Sequence, residues 1–228
     1  MTIRVLIADD QALIRAGLVA LFIAAPGFEI AGEAADGRQV IDLAAHTAPD
    51  VILMDIRMPV LDGIAATREL LAAPHDDPPQ VIVLTTFDLD EYVYSALAAG
   101  ASGFLLKDAP PQRIITAVQA IVAGDMLLSP SITRRLIETY AHQHRTRAIA
   151  GPRLADLTPR ETEVLRLIGN GLTNAQIAQR LVLSESTVKT HVKRVMGKLG
   201  LSSRAQVVVA AYESGLITPS PPTGHRHT

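Results

Sequence analysis

The chain has 228 residues, of which 21 are Lys or Arg and 23 are Asp or Glu, and 48% are hydrophobic. At about 100–200 residues per domain that leaves room for two domains, and so many apolar side chains exclude wholesale disorder. No Cys is present, which excludes disulfides, thiolate catalysis and Cys-ligated zinc. The net charge of −2 hides an asymmetry: residues 1–124 carry seven basic and 16 acidic side chains, and residues 151–228 carry 10 and five. An acidic front and a basic back suggest two tasks, with nucleic acid a candidate partner for the second.

The first 124 residues alternate short apolar runs with amphipathic stretches. Strands are predicted at Val5–Ala8, Phe28–Ala34, Val51–Met54, Val81–Leu84 and Gly103–Leu106. All but the second are nearly continuous apolar runs, as expected of parallel strands covered on both faces. Helices are predicted at Gln11–Ala25, Asp36–His46, Leu61–Ala73, Asp88–Ala99 and Pro110–Ala123, the fourth opening on an Asp88/Glu91 capping box. This alternation predicts an α/β doubly wound, five-stranded parallel sheet of flavodoxin-like type. Ser129–His142 is a further helix candidate, and Gln143–Leu154 reads as linker, so 125–154 joins two domains. From Thr158 the pattern is purely helical: a Thr158/Glu161 capping box with Pro159 at the first position, then Asn174–Leu181, Glu185–Leu199 and Gln206–Ser214. This predicts a small all-α domain of four helices over residues 155–216. The Pro-rich end, 217–228, reads as a disordered tail.

The longest apolar run, Leu18–Ala25, falls far short of the ~20 residues that span a bilayer. The start, MTIRVLIADD, reaches two acids by position 10 and does not read as a signal peptide. A soluble cytoplasmic protein without a membrane partner is expected. Neither a G-x-G-x-x-G nor a phosphate-binding P-loop follows any strand.

Sites in open α/β sheets form beyond the carboxyl ends of the strands. Those ends read Asp9-Asp10, Asp55, Thr85-Thr86 and Lys107. Three converging carboxylates repel, so a proton or a cation must accompany them, and an all-oxygen set favours Mg2+. A carboxylate beside such a cation and an ammonium can attack a phosphoryl group. An ordinary helix-capping role accounts for any one of these residues, but less well for the set. Pro59 and Gly63 flank the turn after Asp55, where Pro fixes φ and Gly permits positive φ.

Asp9-Asp10, Asp55 in MDIRMPVLDG, Thr85 in VIVLTTF and Lys107 in SGFLLKD resemble the receiver domain of two-component response regulators. The resemblance implies that Asp55 accepts phosphate from a sensor histidine kinase. It implies that Asp9, Asp10 and Asp55, with the backbone carbonyl of Arg57, hold Mg2+, and that Thr85 and Lys107 contact the phosphoryl group. Phe104 stands at the aromatic switch position. Lacking a hydroxyl, it would switch through packing.

In the helical domain, Val188, Val192, Val195 and Leu199 follow a 3.6-residue period and should face the core. Lys189, Thr190 and Lys193 lie off that stripe, with Arg194 and Lys198 further along. A short helix before this one makes a helix-turn-helix whose second helix would enter the major groove. The segment LTPRETEVLRLIGNGLTNAQIAQRLVLSESTVKTHVKRVMGKLGLSSRAQVV resembles the LuxR-type helix-turn-helix. Together the two halves are similar to response regulators of the NarL/FixJ class. The resemblance implies that Lys189, Thr190 and Lys193 read bases, that Thr187, Arg194 and Lys198 contact the DNA backbone, and that the last helix pairs two copies on inverted half-sites of promoter DNA. Val207, Val208 and Ala211 offer an apolar face for that pairing, which core packing explains as well.

The expected function is that of a transcription regulator, not an enzyme. It would be gated by Mg2+-dependent phosphorylation of Asp55 and would form a homodimer when phosphorylated. Competing readings are a phosphorylation-independent DNA binder with a vestigial receiver, a ligand-sensing LuxR-type regulator, and a phosphohydrolase of the haloacid-dehalogenase type. The last expects a second Asp where Arg57 stands.

Overall fold

The computed structural model describes residues 2–72, 78–85, 95–124 and 154–217. The front half is a five-stranded parallel sheet in the order β2-β1-β3-β4-β5, formed by β1 (Ile3–Ala8), β2 (Phe28–Ala34), β3 (Val51–Asp55), β4 (Gln80–Thr85) and β5 (Gly103–Leu106). The order reverses between β1 and β3, where an open α/β sheet forms its crevice. β3 is buried at every residue because strands pair on both its sides and helices cover both its faces. β2 is an edge strand and only half-buried, which explains its less continuous apolar pattern.

Helices α1 (Ala12–Ala24), α2 (Gly37–Thr47), α3 (Gly63–Ala72) and α5 (Pro111–Val122) connect the strands, and residues 95–98 are helical and are called α4. Alternate strand residues point to opposite faces, so the sheet feeds two apolar layers. Val5, Ile7, Leu53, Ile82 and Leu84 pack beneath Leu18 and Phe22 of α1 and Ile114 and Val118 of α5. Leu6, Ile52, Met54, Val81 and Val83 pack with Val40, Ala66, Leu70, Leu97 and Phe104 on the other face. Those inward rows account for the continuous apolar strands seen in the sequence.

The back half contains α6 (Pro159–Gly169), α7 (Asn174–Leu181), α8 (Glu185–Leu199) and α9 (Arg204–Glu213). Each opens on a hydroxyl cap: Thr158, Thr173, Ser184 and Ser203. Thr158/Glu161 and Thr173/Gln176 form full capping boxes. Val164, Leu165, Ile168, Ile177, Val188, Val192 and Val195 make a separate core. α9 begins two residues earlier than its periodicity suggests, because Ser203 accepts the Gln206 N–H and starts the helix there. The Asp88/Glu91 cap, the Ser129–His142 helix, nearly all of the linker and nearly all of the tail lie outside the described residues.

Candidate functional site

Register places the rim residues. Asp55 ends β3 opposite Leu84, Thr85 ends β4 opposite Leu106, and Lys107 follows at once. The Lys107 N–H donates to the Thr85 carbonyl at 2.8 Å, holding the last two strand ends together. Asp9 follows β1, and its Oδ1 accepts the Gln11 N–H at 2.9 Å. The carboxylates of Asp9, Asp10 and Asp55 each offer an oxygen within 4.8 Å of the others. Lys107 Nζ bridges two of them, 2.7 Å from Asp9 Oδ2 and 2.9 Å from Asp55 Oδ2. Asp10 stays exposed while Asp9 and Asp55 are buried.

The electrostatics follow from this burial. Desolvation pushes the Asp55 carboxyl above its ordinary range, against the pull of Lys107 and of the Arg57 backbone N–H. Desolvation also opposes the charge on Lys107, but its hydrogen bonds to Asp9 and Asp55 outweigh that and raise its pKa. One ammonium cannot neutralise three carboxylates. Asp9 Oδ2 is buried, with the Lys107 ammonium 2.7 Å away. An all-oxygen donor set of three carboxylates with one ammonium between them fits a hard divalent cation.

The turn after Asp55 differs from expectation. Gly63 is not the residue with positive φ; Val60 is, at 66°. Gly63 is required by close approach instead, since a Cβ there would land on the Asp55 carbonyl oxygen and lie 2.9 Å from Met54 Cγ. The Gly63 N–H donates to the Ile56 carbonyl at 2.9 Å and closes the loop under the rim.

On α8, Lys189, Thr190, Lys193 and Arg194 are exposed, on the side away from Val188, Val192 and Val195. The Thr190 hydroxyl donates back to the Ser186 carbonyl at 3.0 Å, so its donor is already used and its methyl and lone pairs remain to face a ligand. Thr187 belongs to the hydroxyl cluster at the start of the helix, its Oγ1 2.8 Å from Ser184 Oγ.

Known proteins share both halves. Residues 5–119 match the family described as response regulator receiver domain, and residues 155–211 match bacterial regulatory proteins of the luxR family. The chain belongs to the response-regulator family. The regulator is 41% identical over 218 residues to the uncharacterized transcriptional regulatory protein YxjL of Bacillus subtilis, covering 94% of this chain and 97% of that one. It is 37% identical over 209 residues to the nitrate/nitrite response regulator protein NarL of Escherichia coli, covering 92% and 94%. Among solved structures, the Salmonella typhimurium RcsB response regulator aligns over 94% of this chain and 99% of its own with a TM-score of 0.54 and 26% identity. The regulator thus pairs a receiver with a DNA-binding LuxR-type domain. Among the described residues no helix is long and apolar enough to cross a membrane.

Two sets of residues stand differently in the regulator from what the sequence suggested. Lys198 does not present a free ammonium: its Nζ lies 2.7 Å from Glu161 Oε2 of α6. Val207, Val208 and Ala211 are fully buried in the core of the helical domain, so core packing, and not a face open to a second copy, is what places them. Phe104 is buried in the apolar layer that includes Leu97 and Ala101. Sequence reasoning missed four polar residues: Asn174, Ser203 and Arg204, all buried, and the partly buried Gln206. Arg204 donates to Asn174 Oδ1 at 2.5 Å and to the Leu172 carbonyl at 2.9 Å. The Ser203-x-x-Gln206 spacing of a capping box was the one available signal, as nothing local announces a buried Arg–Asn pair.

Proposed function

We propose that this response regulator controls transcription through phosphorylation of Asp55 by a sensor histidine kinase, and that phosphorylation governs pairing of two copies on inverted half-sites of promoter DNA. The observation that carries this reading is the placement of Asp55 beside Asp9, Asp10 and Lys107. An Asp55 carboxylate oxygen attacks the phosphorus of a phosphohistidine; the P–N bond breaks and the imidazole leaves with its electron pair. Lys107, already within hydrogen-bonding distance of Asp55, swings onto the phosphoryl oxygens, and the Thr85 hydroxyl donates to another. Asp9, Asp10, Asp55 and the Arg57 carbonyl are the groups that would hold Mg2+. When bound, that cation screens the carboxylates and neutralises charge on the transferring group. Movement of Thr85 toward the phosphoryl group frees space beside β4, and Phe104 repacks on the neighbouring strand, giving the domain two states.

In the helical domain, Lys189, Thr190 and Lys193 reach base edges and Thr187 and Arg194 the DNA backbone, consistent with the exposure of Lys189, Thr190, Lys193 and Arg194 on α8 and the half-burial of Thr187 at its start. A solved neighbour is an RcsB–DNA complex, 25% identical over 93% of this chain, which supports DNA as the partner of this half. Phosphotransfer from a labelled kinase, or labelling with acetyl phosphate, tests the central step. Wild type takes label only with Mg2+ present and Asp55→Asn takes none; equal labelling of both removes Asp55 from the role.

A further inference from the structure

Helix α1 carries one charged residue among its 13, Arg15, and local chemistry opposes a cation at that place. Arg15 stands in the first turn, where a positive charge meets the positive end of the helix dipole. Its side chain is only 20% exposed, so the guanidinium has given up most of its water. A residue held against both preferences marks a position where a tertiary or functional demand outweighs them.

Its partners identify that demand. Arg15 Nη1 donates to the backbone carbonyl of Asp9 at 2.7 Å, and Arg15 Nε lies 3.4 Å from Glu33 Oε2 on β2. The Asp9 N–H donates to the carbonyl of Ala34, the residue after Glu33, at 3.1 Å. Register explains the reach: Ile7 pairs with Glu33 and Ala8 with Ala34, so the end of β2 runs alongside Asp9. Both backbone polar groups of Asp9 are therefore held from outside β1, one by β2 itself and one by a side chain that β2 orients. The carbonyl that Arg15 holds belongs to the peptide joining Asp9 to Asp10. The Asp9 carboxylate has further anchors, the Gln11 N–H at 2.9 Å and the Lys107 ammonium at 2.7 Å. Asp10 is exposed, and among the described residues no hydrogen bond or ion pair holds its carboxylate. Its direction depends on the peptide behind it.

We propose that Arg15, oriented by Glu33, is a positioning residue of the acidic rim: it clamps the peptide between Asp9 and Asp10 and so presets their two carboxylates for a divalent cation. The proposal rests on the reading that this rim takes Mg2+. Groups that hold a metal ligand in place raise affinity without touching the ion, because less ordering remains to be done when it binds. Charge and geometry here predict opposite signs. Arg15 is itself a cation near a cation site, so by charge alone its removal favours the metal. As a clamp, its removal weakens the metal. Arg15→Lys separates the two, since it keeps the charge and loses the planar fork that serves a carbonyl and a carboxylate at once.

The test titrates Mg2+ into the full chain by calorimetry at neutral pH and fixed ionic strength, without a phosphoryl donor. Arg15→Gln is expected to weaken Mg2+ binding by about tenfold, the lower end of what an outer partner of a metal ligand contributes. Arg15→Lys is expected to weaken it too, and carries the test should Arg15→Gln not fold. Glu33→Gln is expected to weaken it by less, because Arg15 keeps its bond to Asp9. Unchanged or tighter Mg2+ binding in the Arg15 variants overturns the clamp, the tighter case by leaving Arg15 an effect of charge alone. A lower melting temperature with unchanged Mg2+ affinity overturns it as well, by reducing Arg15 to a tie between α1 and β2. Glu33→Gln that binds Mg2+ as wild type does overturns the part given to Glu33. Wild type that takes no Mg2+ overturns the metal reading of the rim and the clamp with it. Wild type that takes Mg2+ while Asp55 takes no label from acetyl phosphate removes the phosphorylation reading and leaves the clamp standing.

Discussion

Lys198 Nζ lies 2.7 Å from Glu161 Oε2, so the last turn of the recognition helix is tied to the first turn of α6. The same Glu161 oxygen accepts the Thr158 N–H at 2.8 Å and its hydroxyl at 3.0 Å, while the Glu161 N–H donates to Thr158 Oγ1. One buried carboxylate thus closes a capping box and an interhelical ion pair together.

Glu161→Ala is expected to destabilise the helical domain by about 1–3 kcal/mol, the range for lost hydrogen bonds to a charged group and a lost cap. The Lys198 ammonium, followed by the Thr158 N–H, holds the Glu161 carboxyl down at about 2 from an ordinary 4.5. A depressed carboxyl contributes stability that is complete above its unfolded value and is lost as pH falls through its folded one. The gap between wild type and Glu161→Ala in urea unfolding should therefore be full at pH 7 and shrink from pH 4.5 down toward 2. A gap that stays constant with pH would exclude the ionised carboxylate as its source.

Lys193 and Lys198 are expected to separate in a salt series. Lys193 is exposed on the open face of α8, and if it meets a phosphate its removal lowers the slope of log K against log salt by about 0.9. If it reads a base instead, sequence preference relaxes at a cost of roughly 1–3 kcal/mol. Lys198→Ala should leave the slope unchanged and lower the melting temperature, because its charge is already engaged by Glu161. Anisotropy titrations across a range of salt concentrations measure the slopes, and thermal unfolding measures the stability.

Gly63→Ala should damage the proposed phosphorylation site without altering any charged group. The added Cβ meets the Asp55 carbonyl oxygen and Met54, so β3 or the loop after it must move. Labelling of Asp55 by acetyl phosphate should slow by about tenfold or more, because a shift of about 1 Å at an oriented site can cost about 10²-fold. Circular dichroism should show the fold retained at low temperature. Normal labelling would mean that the loop accommodates the methyl.

Val182 ends α7 in the left-handed region at φ 54°, ψ 51°, and the residue is 91% exposed. A β-branched residue there is strained by about 1–2 kcal/mol, with no burial to offset it. Val182→Gly should raise stability by about 1 kcal/mol, since relief of that strain exceeds the extra entropy of the unfolded glycine. Urea midpoints at neutral pH give the measurement. A drop in stability would show that Val182 makes a contact worth more than its strain.

The amino-acid order by itself determined the strands, the caps and the rim. Val5–Ala8 and Val51–Met54 announce buried parallel strands because both faces of such a strand must be apolar, and the acids at 9, 10 and 55 follow because a parallel sheet collects its strand ends on one edge. Thr158 and Glu161 announce α6 because capping is local chemistry within four residues. Tertiary structure alone decided what depends on approach between distant segments. Whether Gly63 serves φ or space, that Lys198 pairs with Glu161, whether Val207, Val208 and Ala211 face outward or inward, and that Ser203 and Gln206 reach the carbonyls of Ala101 and Ala98, are settled by contacts across 8 to 108 residues of chain. A periodic pattern tells which side of a helix is apolar. It does not say how many surfaces will close around that helix, and α9, apolar on nearly every side, is enclosed by two.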